Sequence, residues 1–140
     1  MKPFALLAAV AFVLHFVWER THIGLYTGYE ALEGFLPVYV FATLGDVMYT
    51  LLAVGLLMLF FGMRLLQAPR VRQYALLAVM GLCIAIFVEV KAAMLGRWEY
   101  TSAMPLIHGL GLSPLIQMTV LLPLSVFIVA RLERWLNNRI

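Results

Sequence analysis

One cysteine, three histidines and a charged fraction of only 12% leave this 140-residue chain short of what most soluble enzymes use. Cys83 alone excludes a disulfide within the chain and a CxxC redox pair. Three histidines with no HExxH and no paired Glu-x-x-His spacing give no metal-site signature, and the chain is read as holding no metal and needing no cofactor. No serine lies in a Gly-x-Ser-x-Gly elbow, and neither a phosphate loop nor a dinucleotide fingerprint occurs. A net charge of +3 is small, and the basic residues cluster at segment ends, a pattern that sets membrane orientation and argues against nucleic-acid binding.

What the chain does have is apolar length. Hydrophobic residues make up 64%, where a soluble domain would carry about a quarter charged residues, so the composition is that of an integral membrane protein with one domain spanning residues 1–140. A helix needs about 20 residues to cross the hydrocarbon. Four segments meet that length, at about residues 4–21, 35–63, 74–95 and 113–131. The expected fold class is therefore all-α, a four-helix transmembrane bundle. The apolar run after Met1-Lys2 continues to Trp18, and is read as a retained first helix rather than a cleaved signal. Pro37 suits a helix start, and Pro123 should kink the fourth span.

Charge gives direction. Lys2, Arg64, Arg70, Arg72, Arg131, Arg134 and Arg139 all fall on one side of an even number of spans, leaving Arg20, Arg97 and a half-buried Lys91 for the other. The positive-inside rule then places both termini in the cytoplasm, with Trp18 and Trp98 at the outer interface and Trp135 at the inner one. The outer connections, 24–34 and 96–112, carry aromatics and glycines (Tyr26, Tyr29, Trp98, Tyr100, His108) and acids (Glu30, Glu33), and should fold over something. The connection at 65–73 reads as short, polar and basic. Trp18-Glu19-Arg20-Thr21 and Trp98-Glu99-Tyr100-Thr101 echo each other near the outer ends of two helices, a match short enough to be coincidence rather than duplication.

Within the spans the exceptions are acidic: Glu19, Asp46 and Glu89. A charged group there costs roughly 2.5–3.5 kcal/mol on insertion scales and defaults to a functional reading. His15, Glu19 and His22 share one helical stripe, Asp46, Tyr49 and Thr50 another, and Gln117 lies one turn into the last span. All fall within about 5–15 Å of the outer surface, while the inner half offers nothing comparable. The bland alternatives are structural: Glu19 paired with Arg20 and Glu89 with Lys91, or both snorkelling, Asp46 bonded to Tyr49 or to a neighbouring helix, His15 as an interhelical hydrogen-bonder, Gln117 as interhelical glue, and Trp98 and Tyr100 as belt residues.

The stretches His15-Phe16-Val17-Trp18-Glu19, Gly45-Asp46, Gly96-Arg97-Trp98-Glu99-Tyr100 with Met104-Pro105, and Gly109-Leu110-Gly111-Leu112-Ser113-Pro114-Leu115-Ile116-Gln117 resemble a family of small bacterial four-span membrane proteins over nearly the whole chain. That resemblance implies a bacterial inner membrane and supplies no activity. The Trp18-Glu19 pair also resembles the Trp-Glu signature of integral-membrane terpene cyclases, which implies an isoprenoid substrate and two acids. Those proteins have more spans than this one.

The leading expectation is a membrane enzyme doing acid–base chemistry (protonation, isomerisation or cyclisation) on a lipid or isoprenoid. Glu19 and Asp46 would be the acid/base pair, Glu89 the relay and His15 the group orienting a carboxylate. Trp18, Trp98 and Tyr100 would line the mouth, with Tyr49 and Gln117 as further substrate contacts. A homo-oligomeric proton- or cation-coupled transporter is the rival, and a structural subunit with Glu89 or Lys91 facing lipid the third reading. The topology has a direct test. A green fluorescent protein fused after Ile140 should fluoresce in a bacterial host and alkaline phosphatase fused there should be inactive; the reverse pattern inverts the orientation.

Overall fold

The computed structural model describes residues 2–32 and 34–138. Glu33 and Arg139, used above, lie outside the described residues. Four long helices dominate: α1 (Lys2–His22), α2 (Val38–Phe61), α4 (Val71–Leu95) and α5 (Leu112–Asn137), with a short α3 (Arg64–Gln67) between α2 and α4. Each long helix is long and apolar enough to cross a membrane, and together they form an all-α four-helix bundle. The four helices make this a multi-pass membrane protein, with both ends of the chain on one side of the bundle.

The helix limits follow from local chemistry. Pro37 caps α2, and Gly62, at φ 62°, ends it. The third span starts at Val71, earlier than the hydropathy suggests, because the Arg70 N–H donates to Gln73 Oε1 at 2.7 Å and draws the basic turn into the helix. Gly96, left-handed at φ 57°, closes α4, and the Arg97 N–H reaches back to the Ala92 carbonyl at 3.0 Å. The fourth span runs past residue 131 to Asn137, with Arg134 Nε donating to the Ala130 carbonyl at 3.0 Å. Pro123 sits inside α5 without ending it.

Helix α5 is the central element, packed between α1 and α4. Leu115, Met118, Leu122, Val126 and Val129 on α5 meet Leu7 of α1, Val54 and Leu57 of α2, and Leu77 and Ala85 of α4. The α4–α5 contact is the closest: a Cβ added at Gly81 would run into the backbone carbonyl of Met118. Small residues permit such approach where lipid provides no hydrophobic drive for helix association. The connection read as polar also contributes to packing, since Leu65 and Leu66 of α3 are fully buried. Helix α2 lies against α1 and touches α4 only lightly, while presenting Phe41, Leu52, Leu59 and Phe60 outward.

At the other end from the termini, four two-residue strands appear that hydropathy does not report. β1 (Tyr26–Thr27) pairs antiparallel with β2 (Glu99–Tyr100), putting Tyr26 opposite Tyr100. β3 (Leu106–Ile107) pairs with β4 (Leu110–Gly111) through a turn at His108 and Gly109, both with positive φ (49° and 81°), as a tight two-residue hairpin requires. Thr101 N–H donates to the Leu25 carbonyl at 2.9 Å and reinforces the joint between the two outer connections. The two echoing tetrapeptides differ in kind: Trp18-Glu19 is in α1, while Trp98-Glu99 enters β2, and Glu19 is buried where Glu99 is exposed. They are not a repeated structural unit.

Gly81→Ala should destabilise the protein by about 1–3 kcal/mol through forced separation of α4 and α5. Thermal unfolding in detergent measures this, with Gly55→Ala, whose added Cβ would stand 4.0 Å from Phe4, as the tolerated control.

Candidate functional site

The side-chain amide of Gln117 is where three helices meet. Its Nε2 donates to Glu19 Oε1 of α1 at 2.8 Å and to Asp46 Oδ2 of α2 at 2.7 Å. His15 Nδ1 lies 3.2 Å from the same nitrogen and 3.3 Å from Asp46 Oδ2. An amide nitrogen has two hydrogens, so it serves the two carboxylates, and His15 completes the set by donating Nδ1–H to Asp46. In that tautomer His15 Nε2 accepts from the Thr50 hydroxyl at 3.4 Å. His15 and Thr50 are wholly enclosed, and Gln117 is 2% exposed.

A second chain of donors reaches Glu19 from outside. The Trp18 indole N–H donates to Ser113 Oγ at 3.3 Å, and Ser113 lies 2.7 Å from His22 Nδ1. With the Ser113 hydroxyl donating to Nδ1, His22 carries its hydrogen on Nε2, which stands 3.2 Å from Glu19 Oε2 without forming a directed hydrogen bond. Glu19 also lies within hydrogen-bonding reach of Asp46. Two carboxyls from different helices thus share one amide donor.

The third acid is held by the loops. The Tyr100 hydroxyl donates to Glu89 Oε2 in a short hydrogen bond. Burial, and then the hydrogen bond to Glu89, push the Tyr100 phenol up to about 12. Tyr26 packs beside it, with ring centroids 5.7 Å apart, and also meets His22 at 5.3 Å and Trp98 at 6.1 Å. Burial first, and then the neighbouring Glu89, raise the Tyr26 phenol as well.

These groups surround a pocket of about 360 Å³. Glu19, Asp46 and Glu89 all line it, with Gln117, Tyr49, Trp98 and Tyr26, and Phe41, Met48, Val88 and Met118 as apolar walls. Trp18 is not at the pocket, since its indole is turned to Ser113. His15 and Tyr100 stand behind the wall and act through Asp46 and Glu89. The two local ion pairs do not form, while Gln117 as interhelical glue and Asp46 bonded to a neighbouring helix are what the structure shows. Arg20 stacks over Tyr39 at 5.3 Å and takes no part with Glu19. Lys91 is exposed, not half-buried, and lies over Phe87 at 5.8 Å while Glu89 turns inward. Asp46 bonds to Gln117 rather than Tyr49. Among the described residues no group of three His, Cys, Asp or Glu side chains is placed to hold a metal ion.

Tyr26 and Ser113 are the participants that spacing does not reveal, because Tyr26 reaches the site only through the β1–β2 pairing and Ser113 looks like an ordinary helix start. No protein-family profile, curated protein or solved structure matches the chain, so the site is read from its own geometry.

Absorbance of tyrosinate should reveal one phenol titrating near about 12 in the folded protein, which Tyr100→Phe removes. A folded wild type whose tyrosines all titrate near about 10 contradicts the buried Tyr100–Glu89 bond.

Proposed function

We propose that this protein is a membrane enzyme transferring protons to and from an apolar, lipid-borne substrate, an isoprenoid or similar lipid, so as to isomerise or cyclise it. The observation that carries this reading is the Glu19–Asp46 pair on one Gln117 amide, facing a pocket whose remaining walls are largely hydrocarbon. A protonated member of the pair adds its proton to a double-bonded carbon, forming a C–H bond and leaving a cation. Loss of a proton from a neighbouring carbon to the ionised acid, or to Glu89, restores neutrality and yields a shifted double bond or a ring. No oxidant, reductant or cofactor is required. His15 is the positioning residue for Asp46, as Tyr100 is for Glu89.

The seam where α2 only lightly touches α4 favours lateral entry from the bilayer, because pocket residues Phe41 and Met48 are also on the outward face of α2. Charge asymmetry favours cytoplasmic termini with the pocket on the outer side, and the sequence resemblance favours a bacterial inner membrane. Transport is the weaker reading, whether by one chain or a homo-oligomer. Beneath Thr50 the described core is mainly Ala53, Val54, Leu57, Leu77, Leu122, Val126 and Val129; Ser125 donates to its own helix at Leu121 and Gln73 caps α4 at its start, a sparse route for a proton or cation through one subunit.

Host membranes isolated after growth in ordinary water and then incubated in heavy water test the proposal. Wild-type protein should yield an isomerised or cyclised lipid with solvent deuterium in a new C–H bond. Asp46→Asn at equal abundance should lower that yield by about 10²–10⁴-fold, the usual worth of a general acid or base. An unchanged product level from folded Asp46→Asn rejects the assignment.

A further inference from the structure

The outer half of the pocket is built differently from its base. Tyr26 and Trp98 both line it, with ring centroids 6.1 Å apart and planes at 87°, so they form two walls of a corner. Tyr100 packs against Tyr26 at 5.7 Å and holds Glu89, which faces the same space. Glu19 and Asp46 close the inner side. Aromatic faces carry negative charge and attract cations within about 6 Å of the ring centre, most strongly when water is excluded. Ring walls meeting at a right angle beside carboxylates make an enclosure suited to a weakly hydrated ammonium group.

The protein's own cations do not fill that enclosure. Among the described residues the cation–ring contacts are Arg20 over Tyr39, Lys91 over Phe87 and Arg131 over Phe127, none on Tyr26, Trp98 or Tyr100. Among the described lining residues Arg97 is the one Lys or Arg, and it is exposed, whereas three carboxylates line the same pocket. The rest of the lining is mostly apolar, with Met48, Val88 and Met118 beside Phe41 and Tyr49, fit for a short hydrocarbon chain.

We infer that the pocket binds amphipathic organic cations, an alkyl-ammonium group seated against the corner of the Tyr26 and Trp98 rings with its apolar chain running toward Met48 and Met118. This names the ligand class of the pocket on which the proposed function rests: a molecule that carries positive charge or develops it during reaction. Cation recognition and lipid turnover can fail separately, since one is an equilibrium on purified protein and the other a change in membrane lipids.

Calorimetric titration of the purified full chain in a neutral detergent tests the inference, with hexyltrimethylammonium as probe. Its uncharged counterpart, in which a tert-butyl group replaces the trimethylammonium, is the control. The cation should bind saturably and at least about tenfold more tightly than the neutral compound. Glu89→Gln and Trp98→Leu should each weaken it by about five- to tenfold, and Glu99→Gln, on the exposed side of β2, should leave it unchanged. Equal affinity for the two probes, or no saturable binding of the cation, overturns the inference on wild-type protein alone. Undiminished binding by folded Glu89→Gln and Trp98→Leu overturns it too. Lipid conversion without cation preference would retain the enzyme and remove this ligand class.

Discussion

One amide holds the outer half of this bundle together. Gln117 extends from the central helix and gives its two N–H hydrogens to carboxylates from two other helices. In a membrane an unsatisfied polar group is expensive, and lipid does little to press helices together. Position and chemistry are thus the same fact here: the bonds that register α1 and α2 against α5 also bring Glu19 and Asp46 within reach of each other. Removing the donor would leave two acids facing each other with less to hold them than before. The two histidines extend this logic: each stands beside an acid, His15 at Asp46 and His22 at Glu19, and is held on its far side by Thr50 or by Ser113.

The covering of the site depends on pieces too small for a hydropathy profile. Two-residue strands tie the first outer connection to the second, and the pairing sets Tyr26 against Tyr100, whose hydroxyl anchors Glu89. The lid and the third acid are in this way one assembly. Gly111 belongs to it as well: a Cβ there would stand 2.9 Å from the Tyr100 ring and 3.2 Å from the Met104 side chain.

The four spans and the inward turn of the acids were legible in the sequence because both follow from strong, local physics. Twenty apolar residues need a bilayer, and a carboxylate among them needs a partner. The stripe of His15, Glu19 and His22 was likewise readable from helical spacing, and all three are buried together. What escaped was whatever depends on contacts distant in the chain. Trp18 shares its helix with Glu19 but turns to Ser113, a residue 95 positions away. Tyr26 looked like one loop aromatic among several until a strand pairing brought it over the site. Leu65 and Leu66 looked like linker and are core, because α3 folds under α5.

Gly81 sets a mechanical asymmetry. Because α4 rests directly on the α5 backbone there, those two helices cannot slide or part without breaking their tightest packing. Helix α2 has no such anchor to α4, and the far wall of the pocket belongs to it. Breathing of the cavity therefore falls to α2, the helix with long hydrophobic side chains reaching into the acyl chains. The cavity is thus bounded on one side by helices in backbone contact and on the other by a helix joined to them through the Asp46–Gln117 bond and side-chain packing.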